Sequence, residues 1–66
     1  MNKRQLEAAS RGKIHHFAVF TLRMGEEKSG YMQPFDEDFV YLTAKDGTSA
    51  GKILLDEIVS VAFPEG

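Results

Sequence analysis

The chain contains no cysteine, and this absence limits how a small protein can be stabilised. A domain of 66 residues buries only about 60% of the surface that its unfolded chain exposes. Small folds often add disulfides, a metal site or self-association to compensate. The lack of cysteine excludes disulfides and the commonest zinc sites. Self-association is therefore the form of added stability that the composition favours.

Long apolar segments are also lacking. No run of about 18 apolar residues occurs, so the sequence predicts no membrane-spanning helix. The first residues, Met-Asn-Lys-Arg-Gln-Leu-Glu, are polar, which predicts no signal peptide. Together with the missing cysteine, these features predict a cytoplasmic protein that does not bind a membrane.

Strong positive charge is absent as well. The net charge is −2, which argues against a strongly basic nucleic-acid binder. The charges are unevenly divided, because residues 1–28 carry +3 and residues 29–66 carry −5. This division predicts a surface with a basic end and an acidic end. Charges that only keep a small surface solvated are the alternative.

Residues 2–11 have the pattern of a short helix. Asn2 suits the N-cap position, and Gly12 suits the left-handed position just after the last turn. Leu6 and Ala9 lie three residues apart and predict a narrow apolar stripe. Such a stripe would let the helix pack on a larger element.

Five β-strands are predicted after this helix. Their apolar runs and alternations cover residues 14–24, 31–35, 39–44, 49–55 and 58–63. The Asp46-Gly47 pair predicts a hairpin between the third and fourth strands. Asp56-Glu57 leaves room only for a tight turn, and Gly51 is typical of a bulge. The sequence therefore predicts one mainly β domain over residues 1–66, a five-stranded antiparallel small barrel with a short N-terminal helix, because closure removes exposed edges.

Catalytic patterns are not found. The only histidines, His15 and His16, are adjacent on a predicted strand, so they are expected to point to opposite faces and cannot share a metal. His15 is predicted to be exposed near the basic end, and His16 to lie at the rim of the core. Residues 47–51 lack the Gly-Lys-Ser/Thr ending of a phosphate loop. We therefore predict no enzyme activity, no cofactor and no metal site.

Two other residue groups are candidates for binding. Asp36, Glu37 and Asp38 form the densest acidic cluster, which lacks the spacing of a calcium loop and is either a solvated turn or a contact for a basic protein. Aromatic residues could stack on bases if exposed, but most are predicted to lie in the core. The five considered are Phe17, Tyr31, Phe35, Phe39 and Tyr41; the two tyrosines are expected to keep an edge in solvent.

Three segments resemble the Rho-binding antiterminator family. They are Leu6-Glu7-x-Ala9, the His15-His16 pair that opens a long alternating strand, and Leu55-Asp56-x-Ile58-x-Ser60 followed by Pro64-Glu65. The resemblance spans residues 6–65. Proteins of that family are small bacterial regulators with a helix and an Sm-like barrel, and they bind the transcription terminator Rho through acidic surface. The resemblance implies an Sm-like or SH3-like barrel here, with Glu7 as a protein-contacting helix residue.

Three hypotheses for function follow. The first is a protein-binding regulator, with a partner such as Rho, that uses Glu7, Asp36, Glu37 and Asp38. The second is an Sm-like RNA-binding homo-oligomer, joined through the edges of the fourth and fifth strands, with Lys3, Arg4, Arg11, Lys13 and His15 at one mouth. The third is an oligomer that binds a small ligand between subunits.

Overall fold

The computed structural model describes residues 1–64 of the chain. Its elements are a helix α1 (Lys3–Ser10), strands β1 (Phe17–Leu22), β2 (Glu27–Met32), β3 (Phe39–Thr43) and β4 (Ser49–Leu54), a 3₁₀ turn (Leu55–Glu57) and strand β5 (Ile58–Ala62). The five strands form one antiparallel sheet. The prediction of a mainly β fold with five antiparallel strands and one short helix is therefore confirmed.

The sheet has the order β4-β3-β2-β1-β5, so its two edges are consecutive strands in the chain. In a flat sheet those edges would lie about 19 Å apart, at about 4.8 Å per strand spacing. The 3₁₀ turn between them is three residues long and cannot span more than about 14 Å. The sheet must therefore curve towards this corner. Within residues 1–64, no ladder joins β4 to β5, so the sheet is open and closure into a barrel stays a prediction.

Local capping chemistry determines where α1 begins and ends. The Asn2 side chain accepts a hydrogen bond from the Gln5 backbone N–H, and the Gln5 side chain accepts one from the Asn2 N–H, each at 2.8 Å. At the other end, Arg11 and Gly12 both adopt left-handed backbone angles, with φ of 52° and 75°. These conformations cannot continue a right-handed helix. The predicted helix is confirmed, including both capping positions.

The face of α1 that contacts the sheet differs from the prediction. Leu6 and Ser10 are buried, whereas Ala9 is exposed. The buried pair is spaced four residues apart, which places both side chains on one face of a helix. The predicted apolar stripe of Leu6 with Ala9 is therefore wrong, because the buried face contains Leu6 and Ser10 instead.

Among residues 1–64, no helix has the length and apolar character needed to cross a membrane.

The first two strands begin at other residues than predicted. β1 begins at Phe17 rather than residue 14, because His15 has a left-handed φ of 73° that interrupts extended backbone. β2 covers Glu27–Met32 rather than 31–35. Gly30, which lies outside the predicted strands, instead pairs with Ala18 in the sheet. The hairpin turn lies earlier, at residues 23–26.

The later elements agree with the predicted pattern. The Ala44 N–H donates to the Thr48 carbonyl at 2.8 Å, which closes the predicted Asp46-Gly47 hairpin. The β3–β4 register shifts after Leu42, so that Ala50 and Gly51 form a bulge. The 3₁₀ turn occupies the tight connection predicted around Asp56.

The core lies between α1 and the inner face of the sheet. Its buried apolar residues are Leu6, Ala18, Phe20, Leu22, Met32, Val40, Leu42, Ile53, Leu55 and Ile58. Phe20 is the one aromatic residue in this core among residues 1–64. The prediction that most of the five candidate aromatic residues are core residues is wrong, since none of them is buried.

Hydrogen bonds tie the corner between β4 and β5 to the rest of the fold. The α-amino group of Met1 donates to the carbonyls of Leu55 and Ile58, at 3.0 and 3.2 Å. The Leu55 N–H donates to the Asp38 carbonyl at 2.9 Å. The segment before α1 and the loop before β3 are thereby held at the same corner, which positions the site described below.

Candidate functional site

A depression lies between α1 and the loop of residues 33–38, which joins β2 to β3. It has a volume of about 450 Å³ and is lined by Asn2, Lys3, Arg4, Glu7 and Glu37. We call these five residues the charged cleft. The cleft unites two residues of the predicted protein-binding set, Glu7 and Glu37, with two of the predicted RNA-binding set, Lys3 and Arg4.

Asp36 builds the loop that forms one wall of the charged cleft. Its Oδ1 accepts hydrogen bonds from the backbone N–H groups of Asp38 and Phe39, at 2.8 and 2.7 Å. Its Oδ2 accepts one from the Tyr41 hydroxyl at 3.2 Å. The Phe39 and Asp38 N–H groups hold the pKa of the Asp36 carboxyl below its ordinary value of 3.8. The Asp36 carboxylate is thus used within the loop, and its neighbours supply the outward charge.

The other two acidic residues of the loop have different positions. Glu37 lines the charged cleft, while Asp38 is exposed outside its lining. Within residues 1–64, the carboxylates of Glu7 and Glu37 form no hydrogen bond or ion pair. Two carboxylates of the cleft are therefore available to an incoming group.

Lys3 and Arg4 occupy the first turn of α1, which contains no acidic residue. Positive charge at this end opposes the helix dipole. Asp36 compensates in part, since the charge of Lys3 contributes to lowering the Asp36 pKa. Lys3 and the Asp36 carboxylate therefore lie close enough to interact electrostatically.

The remaining basic candidates lie at the other end of α1. Arg11, Lys13 and His15 follow the helix, whose eight residues span about 12 Å at about 1.5 Å per residue. The Lys13 Nζ lies 5.5 Å from the centre of the Phe63 ring. The five predicted RNA-binding residues thus form two groups, one beside carboxylates and one beside the start of β1.

The two histidines lie in a turn before β1. The backbone N–H of His15 donates to the Met32 carbonyl at 2.6 Å, and the Met32 N–H donates to the His16 carbonyl at 3.0 Å. Both side chains are exposed. The prediction that His16 lies at the core rim is wrong, because the turn at His15 ends the alternation on which it depended. Across residues 1–64, no three His, Asp or Glu side chains are placed to hold a metal ion.

Four aromatic residues lie on the outer face of the sheet, and sequence reasoning missed this arrangement. Phe17 and Tyr31 are cross-strand partners whose rings meet edge to face, 5.5 Å apart. Phe39 and Tyr41 follow on β3, with centroids 6.4 Å apart, and the Lys52 Nζ lies 4.4 Å from the Phe39 ring centre. The alternation of β1 could have predicted the outward position of Phe17, since Ala18, Phe20 and Leu22 are buried on the inner face and Phe17 lies on the other.

A second depression continues from the charged cleft along α1. Its volume is about 330 Å³, and its apolar wall consists of Ile14, Pro34 and Phe35. Lys3 and Glu7 line both depressions. We call this second depression the apolar groove.

Comparison with protein-family models, with curated proteins and with solved structures found no match for this chain. The surfaces of the chain that bear on its function are the charged cleft and the open sheet edges.

Proposed function

We propose that this chain is a small non-catalytic regulatory module that binds a protein through the charged cleft. The observation that supports this proposal is the meeting of Glu7 and Glu37 with Lys3 and Arg4 in one depression. The residues come from two elements that are about 30 positions apart in the chain.

The mixed sign of the cleft favours a protein partner over RNA. Phosphate groups would be attracted by Lys3 and Arg4 but repelled by the adjacent Glu7 and Glu37, and RNA binding relies on neutralising phosphates with cations. A protein surface can present both signs in a matching arrangement. Such complementarity raises the association rate and selects the partner more than it raises affinity.

The family resemblance supports a more specific version of this proposal. The partner is a bacterial transcription factor such as Rho, and the fold is an Sm-like or SH3-like small barrel. The order of one helix and five antiparallel strands is compatible with that architecture. The resemblance to proteins that bind through acidic surface is compatible with unpaired carboxylates at Glu7 and Glu37.

Charge reversal tests the proposal with purified Rho as the probe. We expect Glu7→Lys with Glu37→Lys to slow association at least about tenfold, because two attractive charges become repulsive. Asp36 is left intact, since it shapes the loop. Glu26→Lys, an exposed residue in the β1–β2 turn, is the matched control and should leave the rate unchanged. An unchanged rate in the double variant would contradict the proposed cleft, and no binding by the original chain would reject Rho as its partner.

A homo-oligomer that binds RNA is the second candidate, and the open sheet edges favour it. β5 contains no charged residue and β4 contains only Lys52. Natural proteins usually protect exposed edges with charge, proline or covering segments. The β4 edge of one copy can therefore pair with the β5 edge of the next.

Light scattering distinguishes this candidate from the first. The oligomer hypothesis predicts a multimer in solution and an RNA affinity that falls steeply with salt. Val59, which is 59% exposed on β5, offers a variant: Val59→Lys should dissociate the multimer. A monomeric chain that ignores RNA at low salt would exclude this candidate.

A further inference from the structure

We propose that the apolar groove binds one apolar side chain of an extended segment of the protein partner, while a Lys or Arg of the same segment contacts Glu7 and Glu37. This inference rests on the proposed protein-binding function and specifies the chemistry of the partner. It places the apolar contact on residues that carry no charge and were not predicted as a site.

The groove and the charged cleft form one continuous surface. Ile14, Pro34 and Phe35 line the apolar part, and Lys3 and Glu7 line both parts. An extended chain advances about 3.3 Å per residue and points every second side chain to the same side, so residues two positions apart on one segment reach both parts. A segment bound in this way lies along α1.

The walls of the groove are held in place before any partner binds. The Gln33 N–H donates to the Tyr41 carbonyl at 2.8 Å, and its side-chain amide donates to the Thr43 hydroxyl at 3.0 Å. Ile14 and Phe35 pack against the core. A preformed groove loses little conformational entropy on binding.

The surrounding charge indicates a basic segment. Glu7 and residues 36–38 carry four carboxylates, against three cations at this corner, which are Lys3, Arg4 and the α-amino group of Met1. A Lys or Arg beside the apolar residue would reduce this excess, whereas Glu or Asp would increase it.

The polar groups of the groove do not suit a small-molecule site. Such sites orient their ligands with a few convergent polar groups. The buried Ser10 hydroxyl already donates to the Glu7 carbonyl at 3.2 Å. In the described part of the chain, no buried side-chain nitrogen or oxygen lacks a hydrogen bond. The groove therefore offers apolar contact, and the charges at its rim supply the selectivity.

Defined peptides test the inference on the full chain. The probe is an acetylated heptapeptide that contains one leucine followed by two lysines; its controls replace the leucine by serine or both lysines by glutamate. In titrations of the ¹⁵N-labelled chain, we expect the probe to shift the amides of Gly12, Ile14 and Phe35. Each control peptide should bind about tenfold more weakly, as expected for a lost apolar contact or a reversed charge.

Variants of the chain separate this inference from the proposed function. Glu37→Lys should weaken binding of the lysine peptide, and Glu26→Lys should not. Equal binding of the lysine and glutamate peptides, or shifts confined to the outer aromatic face, would overturn the inference. If the peptide fails to bind while the Glu7 and Glu37 reversals still slow association with Rho, the inference is wrong and the proposed function stands. If those reversals have no effect on Rho either, both are wrong.

Discussion

The Tyr41 hydroxyl donates a hydrogen bond to the Asp36 carboxylate over 3.2 Å. This contact joins β3 to the loop that precedes it, and the other Asp36 oxygen binds the N–H groups of Asp38 and Phe39. Asp36 raises the pKa of Tyr41 in return, chiefly through this hydrogen bond. One acidic residue thus shapes the loop, and the next one, Glu37, faces the charged cleft.

Removing the Asp36 side chain should loosen this loop. Asp36→Ala deletes the acceptor for two backbone N–H groups, so we expect the amides of Asp38 and Phe39 to exchange with solvent at least about fivefold faster. Asp36→Asn is the control, because an amide oxygen can still accept both bonds. Hydrogen exchange followed by NMR measures the difference. Equal exchange in the alanine variant would show that the loop does not depend on Asp36.

Acid should destabilise the chain only at low pH. The pKa of Asp36 is lowered by the Phe39 and Asp38 N–H groups, and the pKa of Asp46 is lowered by the Thr48 N–H and hydroxyl. A carboxyl whose pKa is lower in the folded state than in the unfolded state stabilises the fold when the pH is above its unfolded-state pKa, here 3.8. This stabilisation is lost as the pH falls through the folded-state pKa. We therefore expect the stabilising contribution of these two carboxyls, measured through the urea midpoint of the chain, to be constant above about pH 5 and to fall below about pH 4.

Paired variants isolate the contribution of these two groups. The double variant Asp36→Asn with Asp46→Asn cannot titrate at these positions, so its urea midpoint should fall less between about pH 5 and pH 3. Glu26→Gln, outside both loops, should follow the original chain. An identical acid response in the double variant and the original chain would contradict the assignment.

Gly30 should not tolerate a side chain. A Cβ at this position would lie 3.1 Å from the Leu42 Cβ and 3.2 Å from the Thr43 carbonyl oxygen, which is closer than ordinary contact. Gly30→Ala should therefore lower the free energy of unfolding by about 1–3 kcal/mol, as overpacking does. Ser29→Ala, at the exposed neighbouring position, is the control. Denaturant unfolding measures both, and equal stability would show that β2 and β3 can separate at little cost.

Leu6 should attach α1 to the sheet. Its side chain is fully buried, so Leu6→Ala should lower the free energy of unfolding by about 2–5 kcal/mol. Ala9→Ser, on the exposed side of the same helix, should change it by no more than about 0.5 kcal/mol. Thermal and urea unfolding measure both variants. A small effect at Leu6 would mean that the helix contributes little to the core, and that the charged cleft is weakly formed.

The parts of the fold that were predictable from sequence depend on neighbouring residues. Asn2 and Gly12 mark the ends of α1 because capping and left-handed conformations are properties of a few consecutive residues. Asp46-Gly47 marks the β3–β4 turn for the same reason. The strands after residue 39 were located correctly because turn residues bound each of them.

The first two strands were harder to locate because their alternation has no local end. Ile14 and His16 continue the apolar pattern of β1, but the left-handed backbone at His15 interrupts the strand. Gly30 is typical of a turn when only its neighbours are considered. Its place in the sheet depends on contact with Leu42, twelve positions later in the chain.

The sequence alone determined the types of the elements, their order and the division of charge along the chain. Only the tertiary structure decided that Glu7 and Glu37 share a cleft with Lys3 and Arg4. It also decided that four aromatic residues lie on the outer face of the sheet, namely Phe17, Tyr31, Phe39 and Tyr41. Both outcomes follow from the non-local packing of α1 and the β2–β3 loop on one curved sheet. No local pattern encodes which of two apolar faces becomes the core, because that choice is made where distant segments bury the most apolar surface together.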